Sequence, residues 1–193
     1  MTDTLPLFPL KTVLFPGGPL ALRVFEPRYL DMVARCLRGE NRFGVVAIRQ
    51  GEEVGAASTY AVGTAAEIVD WHRESDGLLG ILAMGREAFR LGATRRQPDG
   101  LYVAEVEWLP AEAVLPLPPE HAPLAALLKR VLDQLPLYGG LTPRYDDAGW
   151  VAARLVEALP FGLALKQSLL EAPDALTRLE RVAAELAKTR GAA

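Results

Sequence analysis

The chain has 193 residues, of which 50% are hydrophobic, and its 21 Lys and Arg against 24 Asp and Glu give a net charge of −3. This composition excludes a disordered or collagen-like chain, and the length is enough to bury a core in one or two small domains. The weak negative charge disfavours nucleic acid or an anionic membrane surface as the main partner. No apolar run approaches the ~18 residues of a membrane span.

The cysteine content and the N-terminal residues indicate the cellular compartment of the protein. Cys36 is the single cysteine of the sequence, so we expect no internal disulfide and no cysteine-rich metal site. The residues from Met1 to Pro6 show neither the basic nor the apolar segment of a secretory signal. We therefore expect a cytoplasmic protein.

The residues up to about Pro110 have the period of β-strands. Apolar residues alternate with polar or small ones over 20–24 and 102–108, as in a half-buried strand. The segment Phe15–Pro19 reads Phe-Pro-Gly-Gly-Pro and predicts a tight turn. Short apolar runs rich in β-branched residues predict further strands at 43–48, 60–69, 78–84 and 88–91.

One helix is predicted between these strands, from Pro27 to Arg38. Proline suits the first helical position because its missing N–H would have no acceptor within the helix. Gly39 follows, and glycine readily adopts the left-handed backbone that ends many helices. Cys36 lies within this helix, where a buried and inert thiol is expected. The predicted apolar stripe consists of Tyr29, Leu30, Val33 and Leu37.

The rest of the chain has helical periodicity. Three prolines between 116 and 119 favour a stiff, extended connector. Further helices are predicted after the connector, after an N-cap at Asp146, at Leu163–Glu171 and from Pro173. The sequence therefore predicts the α+β class, with a β-rich part over residues 1–112 and a helical part over 113–193. The first of these helices carries an apolar stripe of Leu124, Leu127, Leu128, Val131, Leu132 and Leu135.

The motifs of common enzyme classes do not occur in the sequence. The glycine pair at 17–18 lacks the Gly-Lys-Ser/Thr of a phosphate-binding loop, and no serine lies in a Gly-x-Ser-x-Gly turn. His72 and His121 lie far apart, each without a second nitrogen or sulfur ligand nearby. Lys166 and Ser168 would point to different sides of a helix, so they make a poor dyad, and Lys166 is expected to face solvent. We therefore expect no catalytic residues, no metal and no cofactor.

One concentration of basic residues needs an interpretation. Arg86, Arg90, Arg95 and Arg96 occur close together. Recognition of single-stranded RNA combines such arginines with exposed aromatic side chains on which bases stack. Phe89 is the single aromatic residue among them and is expected to point into the core, so a solvated hairpin is favoured.

Several motifs occur in an order that resembles a known family. Near the N-terminus they are Leu5–Leu10 (Leu-Pro-Leu-Phe-Pro-Leu), Val13–Gly18 (Val-Leu-Phe-Pro-Gly-Gly) and Leu20–Tyr29 (Leu-Ala-Leu-Arg-Val-Phe-Glu-Pro-Arg-Tyr). Leu159–Glu171, which ends Lys-Gln-Ser-Leu-Leu-Glu, matches at the helical end. Across about residues 5–188 the chain resembles the Lon N-terminal domain family.

The resemblance implies a PUA-like β pseudo-barrel followed by a small helical bundle. In Lon proteases this domain is held to help select substrate proteins and to assist assembly of the ring. The sequence carries neither the ATPase module nor the serine–lysine protease module. It therefore looks like a free-standing bacterial Lon substrate-binding protein, for which proteolytic activity is not expected. Because PUA-like folds also bind RNA, RNA binding is the alternative function.

The expected function is non-catalytic binding of hydrophobic or unfolded polypeptide segments. The expected partners are proteins or peptides, and a homo-oligomer is compatible with the sequence. An apolar groove at the sheet surface or between the two parts would dock an extended strand. The candidate peptide-binding residues are Phe15, Phe25, Arg28 and Tyr29. Each also has a structural interpretation, since the aromatic rings suit a core and Arg28 suits an ion pair with a nearby acid.

Overall fold

The computed structural model describes residues 3–40, 42–53 and 57–191. It divides into two compact units, Met1–Pro110 and Ala111–Ala193, whereas the sequence predicted the boundary between residues 112 and 113. Strands dominate the first unit and helices the second, which is the predicted α+β class. Within the described ranges, no helix has both the length and the apolar character needed to cross a membrane.

Six strands and one α-helix are the main elements of the described part of the first unit. The helix, α1, spans Pro27–Arg35 and continues into a π-helical turn in which Gly39 has φ of 151°. The predicted alternation at 20–24 and 102–108 corresponds to two of the strands. The strands are β1 (Asp3–Leu10), β2 (Pro19–Val24), β3 (Arg42–Gly51), β4 (Ala57–Arg73), β5 (Leu79–Arg96) and β6 (Tyr102–Trp108).

Strand pairing closes β1, β3, β4, β5 and β6 into a ring. β1 is parallel to β3 and antiparallel to β6, and the β3–β4, β4–β5 and β5–β6 pairs are antiparallel. β2 pairs with the first part of β5 and stands at the end of the strand order β2-β5-β4-β3-β1-β6. The ring strands are therefore bonded on both sides over part of their length, whereas β2 is an edge strand within the part of the chain that the structure describes.

The two faces of the ring strands bury two different apolar clusters. Successive side chains of a strand point to opposite faces. Because both faces are buried, the run 43–48 is apolar throughout rather than alternating. One cluster draws on all five ring strands and contains Leu5, Leu7, Val46, Ala65, Phe89, Ala104 and Val106. The other includes Phe8, Phe43, Val45, Ile68 and Ile81 together with the buried side of α1.

The predicted runs 78–84 and 88–91 belong to one strand, β5, and Gly85 between them allows a close backbone contact instead of ending a strand. A Cβ atom at this position would lie 2.2 Å from the carbonyl oxygen of Phe15. The predicted turn is present, since the N–H of Gly18 donates to that same oxygen at 3.0 Å. The N–H of Gly17 donates to the carbonyl of Gly85 at 2.8 Å, so turn and strand are in direct backbone contact. The glycine serves this close approach and does not interrupt the strand.

The buried face of α1 differs from the predicted stripe. Tyr29 and Val33 are buried as expected, but Leu30 and Leu37 are exposed. The prediction was wrong for these two leucines because it followed hydrophobicity rather than strict i, i+3, i+4, i+7 spacing. That spacing gives the observed buried set of Tyr29, Met32, Val33 and Cys36.

Four helices form the described part of the second unit, with α3 as its buried element. All residues from 148 to 156 of α3 are buried. This helix begins after Asp147 and not after Asp146 as predicted, because the Asp147 carboxylate accepts hydrogen bonds from the N–H groups of Gly149 and Trp150 at 2.9 and 3.2 Å. The helices are α2 (Ala122–Leu132), α3 (Ala148–Ala158), α4 (Leu163–Leu170) and α5 (Ala175–Gly191).

The predicted stripe of α2 is buried only in part. Leu124 and Leu128 are buried, whereas Leu127, Val131 and Leu132 keep partial exposure. Leu135 lies beyond the end of the helix, because α2 stops at Leu132 and a turn follows. Leu128, which is fully buried, is the inner residue of this helix.

Candidate functional site

A groove of about 430 Å³ lies on the first unit beside β2. β2 and the following Phe25 and Glu26 line one part of it, and the C-terminal end of β1 with Lys11 and Thr12 lines another. Tyr29 of α1 and Glu53 complete the lining. Apolar side chains of the two strands contribute Phe8, Leu10, Leu20, Leu22 and Val24.

The four residues that were predicted from the sequence to bind a peptide differ in their exposure and in their position relative to the groove. Phe25 and Tyr29 both line the groove, but Phe25 is 59% exposed and Tyr29 only 3%. Arg28 lies outside the lining, and 10% of its side chain is exposed. Phe15 is fully buried among core residues and offers no surface to a ligand in this structure. Phe25 is therefore the member of the set that a partner can reach.

Arg28 has structural partners that organise the rim of the groove. Its Nη2 lies 2.8 Å from Oε2 of Glu26, which is the ion pair with a nearby acid expected from the sequence. Its Nη1 donates a hydrogen bond to the carbonyl oxygen of Gly100 at 3.1 Å. Its guanidinium carbon lies 4.6 Å from the centre of the Tyr29 ring, within the range of a cation–π contact. Arg28 thus holds Glu26 and Tyr29, two lining residues, in place.

The groove has an uncharged floor, and its charged lining consists of two cationic and two anionic side chains, Lys11, Arg23, Glu26 and Glu53. The Lys11 ammonium pairs with Glu52, and the Lys11 backbone N–H donates to Oε1 of Glu53 at 2.8 Å. Arg23 forms an ion pair with Asp76. Burial raises the pKa of the Tyr29 phenol to about 12, so this group is neutral at physiological pH. An apolar groove with a few balanced polar groups suits an uncharged ligand.

The β1 side of the groove was not predicted from the sequence. Lys11 and Glu53 are separated by 42 positions along the chain, and their contact depends on how β1 and β3 pair. No spacing rule links residues so far apart. The local signal for the groove was Phe25, which directly follows the alternating segment 20–24.

Ser168 and Lys166, the two residue types of a Ser-Lys dyad, form hydrogen bonds to different partners in the second unit. Ser168 Oγ donates to the carbonyl of Leu165 at 2.9 Å and accepts from Nη2 of Arg181 at 2.7 Å. Lys166 Nζ donates to the carbonyl of Glu157 at 3.0 Å, and burial lowers the pKa of this amine. The prediction that Lys166 faces solvent is wrong, because its side chain is partly buried and bonds to the backbone near the end of α3. Over the described residues, no group of three or more His, Cys, Asp or Glu side chains could hold a metal.

The fold and the groove define an α+β protein with a candidate binding surface on its strand-rich unit. The chain matches the family described as the ATP-dependent protease La (LON) substrate-binding domain over residues 4–188. Because this match covers nearly the whole chain, the protein belongs to the Lon substrate-binding domain family. The resemblance seen in the sequence motifs is thereby confirmed.

Solved structures show the same fold. The crystal structure of a Lon N-terminal domain protein from Xanthomonas campestris is 39% identical, with a TM-score of 0.78, and the match covers 94% of this chain and 98% of that one. The N-terminal domain of the Mycobacterium avium complex Lon protease is 18% identical with a TM-score of 0.64, over 93% and 96% of the two chains. The second likeness concerns the fold alone.

Longer proteins share the sequence over part of their length. Cereblon of Xenopus tropicalis is 35% identical over 118 residues, which cover 59% of this chain and 25% of cereblon. Lon protease of Erwinia amylovora is 24% identical over 190 residues, which cover 91% of this chain and 24% of the protease. The chain thus spans about a quarter of the length of these curated relatives.

Proposed function

We propose that this protein is a non-catalytic interaction domain that binds hydrophobic or unfolded polypeptide segments in the groove beside β2. The observation that carries the proposal is Phe25, an aromatic side chain 59% exposed at an apolar groove. Aromatic side chains that become buried against a partner supply much of the affinity of protein interfaces. Membership of a family described as a substrate-binding domain supports the same function.

The engagement of Ser168 and Lys166 by separate partners supports a role without catalysis. The closed ring of five strands supports the PUA-like description of the first unit. The buried single thiol, Cys36, fits a cytoplasmic location, where thiols stay reduced.

The arginines of β5 favour a polypeptide over RNA. Arg86 Nε lies 2.6 Å from Oε2 of Glu67, and Arg90 is opposite Glu107 in the β5–β6 register. Acidic side chains therefore lie beside two of the four arginines of this segment. Phe89, the aromatic residue among them, is fully buried and unable to stack on a base.

The proposal is tested by fluorescence anisotropy with a labelled, uncharged peptide of about ten residues in which Val or Leu alternates with Thr. The variant Phe25→Ser should weaken binding about tenfold, the loss expected for one aromatic contact. Trp71→Ser is the matched control, because Trp71 is 58% exposed on β4 of the same unit and does not line the groove. Its affinity should stay within about twofold of wild type.

Three results would contradict the proposal. One is the absence of peptide binding by the wild-type protein. Another is an equal loss in the Phe25 and Trp71 variants, which would place binding outside the groove. The third is tighter binding of a labelled single-stranded RNA than of the peptide, which would favour the alternative function.

A further inference from the structure

The groove is bounded by a strand edge that no strand of the structure covers. Among the described residues, β2 pairs with β5 on one side and has no strand on the other. At the other wall, β1 pairs with β6 only over Asp3–Leu7, so its last residues are bonded to β3 alone among the strands. Both segments line the groove.

The hydrogen-bond alternation of β2 identifies the groups on its open side. The N–H of Gly85 donates to the carbonyl of Gly18 at 2.8 Å, so these two glycines occupy a bonded position at the end of the ladder, where the Gly18 N–H itself donates to Phe15 within the turn. The next pair, Pro19 and Met84, is then a non-bonded position, which suits a proline without an N–H. Continued alternation turns the backbone groups of Leu20, Leu22 and Val24 toward β5.

The same alternation turns the N–H and C=O groups of Ala21 and Arg23 away from β5. They form a short row of donors and acceptors beside the apolar lining. A strand edge of this kind is a template for a further strand. The adjacent apolar pockets can take alternate side chains of such a strand.

We propose that an extended segment of another polypeptide adds to the sheet as a strand on the open edge of β2. This inference rests on the proposed function and specifies its binding mode. The segment matches β2 in length, about six residues, and carries apolar side chains at alternate positions. It is uncharged, because the lining of the groove carries two cationic and two anionic side chains and so favours neither sign of charge.

A second copy of the chain is a poorer occupant of this edge. β2 has six residues, begins with Pro19 and presents Arg23 on its exposed side. Short length, proline and a charged side chain are the features that disfavour pairing of two identical edges. A foreign segment without these features meets them on β2 alone, whereas two identical edges would carry them on both strands.

The first test uses peptide analogues that lack selected N–H groups. Two versions of the alternating peptide are N-methylated at the odd or at the even positions of its central six residues. Only every second residue of an added strand bonds to its neighbour. One version should therefore bind at least about tenfold more weakly than the parent peptide, while the other stays within about threefold.

The second test changes the protein edge. Ala21→Pro removes an outward N–H without removing a bond to β5, and Ala21→Val keeps the N–H as the matched control. Binding should fall about tenfold for the proline variant and stay within about twofold for the valine variant. Urea unfolding shows whether the proline variant is folded, and if it is not, the peptide series decides alone.

The outcomes separate this inference from the proposed function. If the parent peptide does not bind, the proposed function fails. If it binds and both methylated versions bind as the parent does, or lose affinity equally, strand addition is overturned while the proposed function stands. Concentration-dependent dimerisation that Ala21→Pro abolishes would identify a second copy as the occupant and would also overturn the inference.

Discussion

The ring of Tyr29 stacks on the ring of Phe8, with centroids 3.9 Å apart and an angle of 10° between the ring planes. Phe8 in turn lies 6.1 Å from the Phe43 ring at an angle of 50°. The stack joins α1 to β1 and β3, and Tyr29 and Phe8 both line the groove. The floor of the candidate site is therefore part of the core of the first unit.

This arrangement predicts that Tyr29 is a stability residue. Tyr29→Ala removes a buried ring and should lower the free energy of unfolding by about 3–5 kcal/mol, measured by urea denaturation. Leu30→Ala is the control, since Leu30 lies on the exposed side of the same helix and should change stability by about 0.5 kcal/mol or less. Similar values for the two variants would show that Tyr29 contributes no core packing.

The Tyr29 phenol also predicts a dependence on alkaline pH. Burial raises its pKa to about 12, so the folded protein holds the phenolic proton more tightly than the unfolded chain, where the pKa is about 10. The resulting stabilisation is fully present below pH 10 and is lost as the pH rises from 10 toward 12. Across that interval the free energy of unfolding should fall more steeply for wild type than for Tyr29→Phe. Parallel curves for the two proteins would contradict the raised pKa.

Local patterns were sufficient for most elements of the chain, but they did not predict β1, they divided β5 into two runs, and they did not reveal the closure of the sheet. The alternation at 20–24 and the i, i+3, i+4 spacing from Leu124 onward depend on neighbouring residues, so the sequence contains them. The parallel pairing of β1 with β3 joins Leu7 to Gly44, and the two buried faces of the ring follow from such long-range contacts. An apolar run such as 43–48 does not reveal which of its residues faces which cluster.

The sequence likewise predicted some residues of the candidate site but not their burial. The sequence placed Phe25 and Tyr29 in one segment, and both line the groove. It did not separate them from Phe15, because an aromatic side chain in a turn has the same pattern whether it is buried or exposed. The burial of Phe15 depends on the approach of its turn to Gly85, 70 positions later by sequence number.

The N-terminus of α3 gives a third prediction. The Asp147 carboxylate caps two N–H groups and pairs with Arg144, while Asp146 is exposed. Asp147→Ala should lower the free energy of unfolding by about 0.5–2 kcal/mol, the usual value of an N-cap, with a further loss from the ion pair. Asp146→Ala is the adjacent control and should have little effect. Equal losses would show that the cap is not specific to Asp147.

Asp147→Asn separates the two contributions at this position. An asparagine side chain still offers an oxygen to the N–H groups of the first turn, but it carries no charge for Arg144. Its stability should therefore lie between those of wild type and Asp147→Ala. A loss as large as that of the alanine variant would assign the effect to the charge and not to the cap.

The packing of α2 gives the last prediction, which concerns Leu128. This side chain is fully buried in the second unit, so Leu128→Ala removes apolar contacts and leaves a cavity. The free energy of unfolding should fall by about 2–5 kcal/mol in urea or thermal denaturation. Leu137→Ala is the control, because Leu137 lies in the same unit, is exposed, and should alter stability by about 0.5 kcal/mol or less. If Leu128→Ala also stayed within that range but weakened binding of the alternating peptide, the stripe of α2 would be a docking surface and not a core.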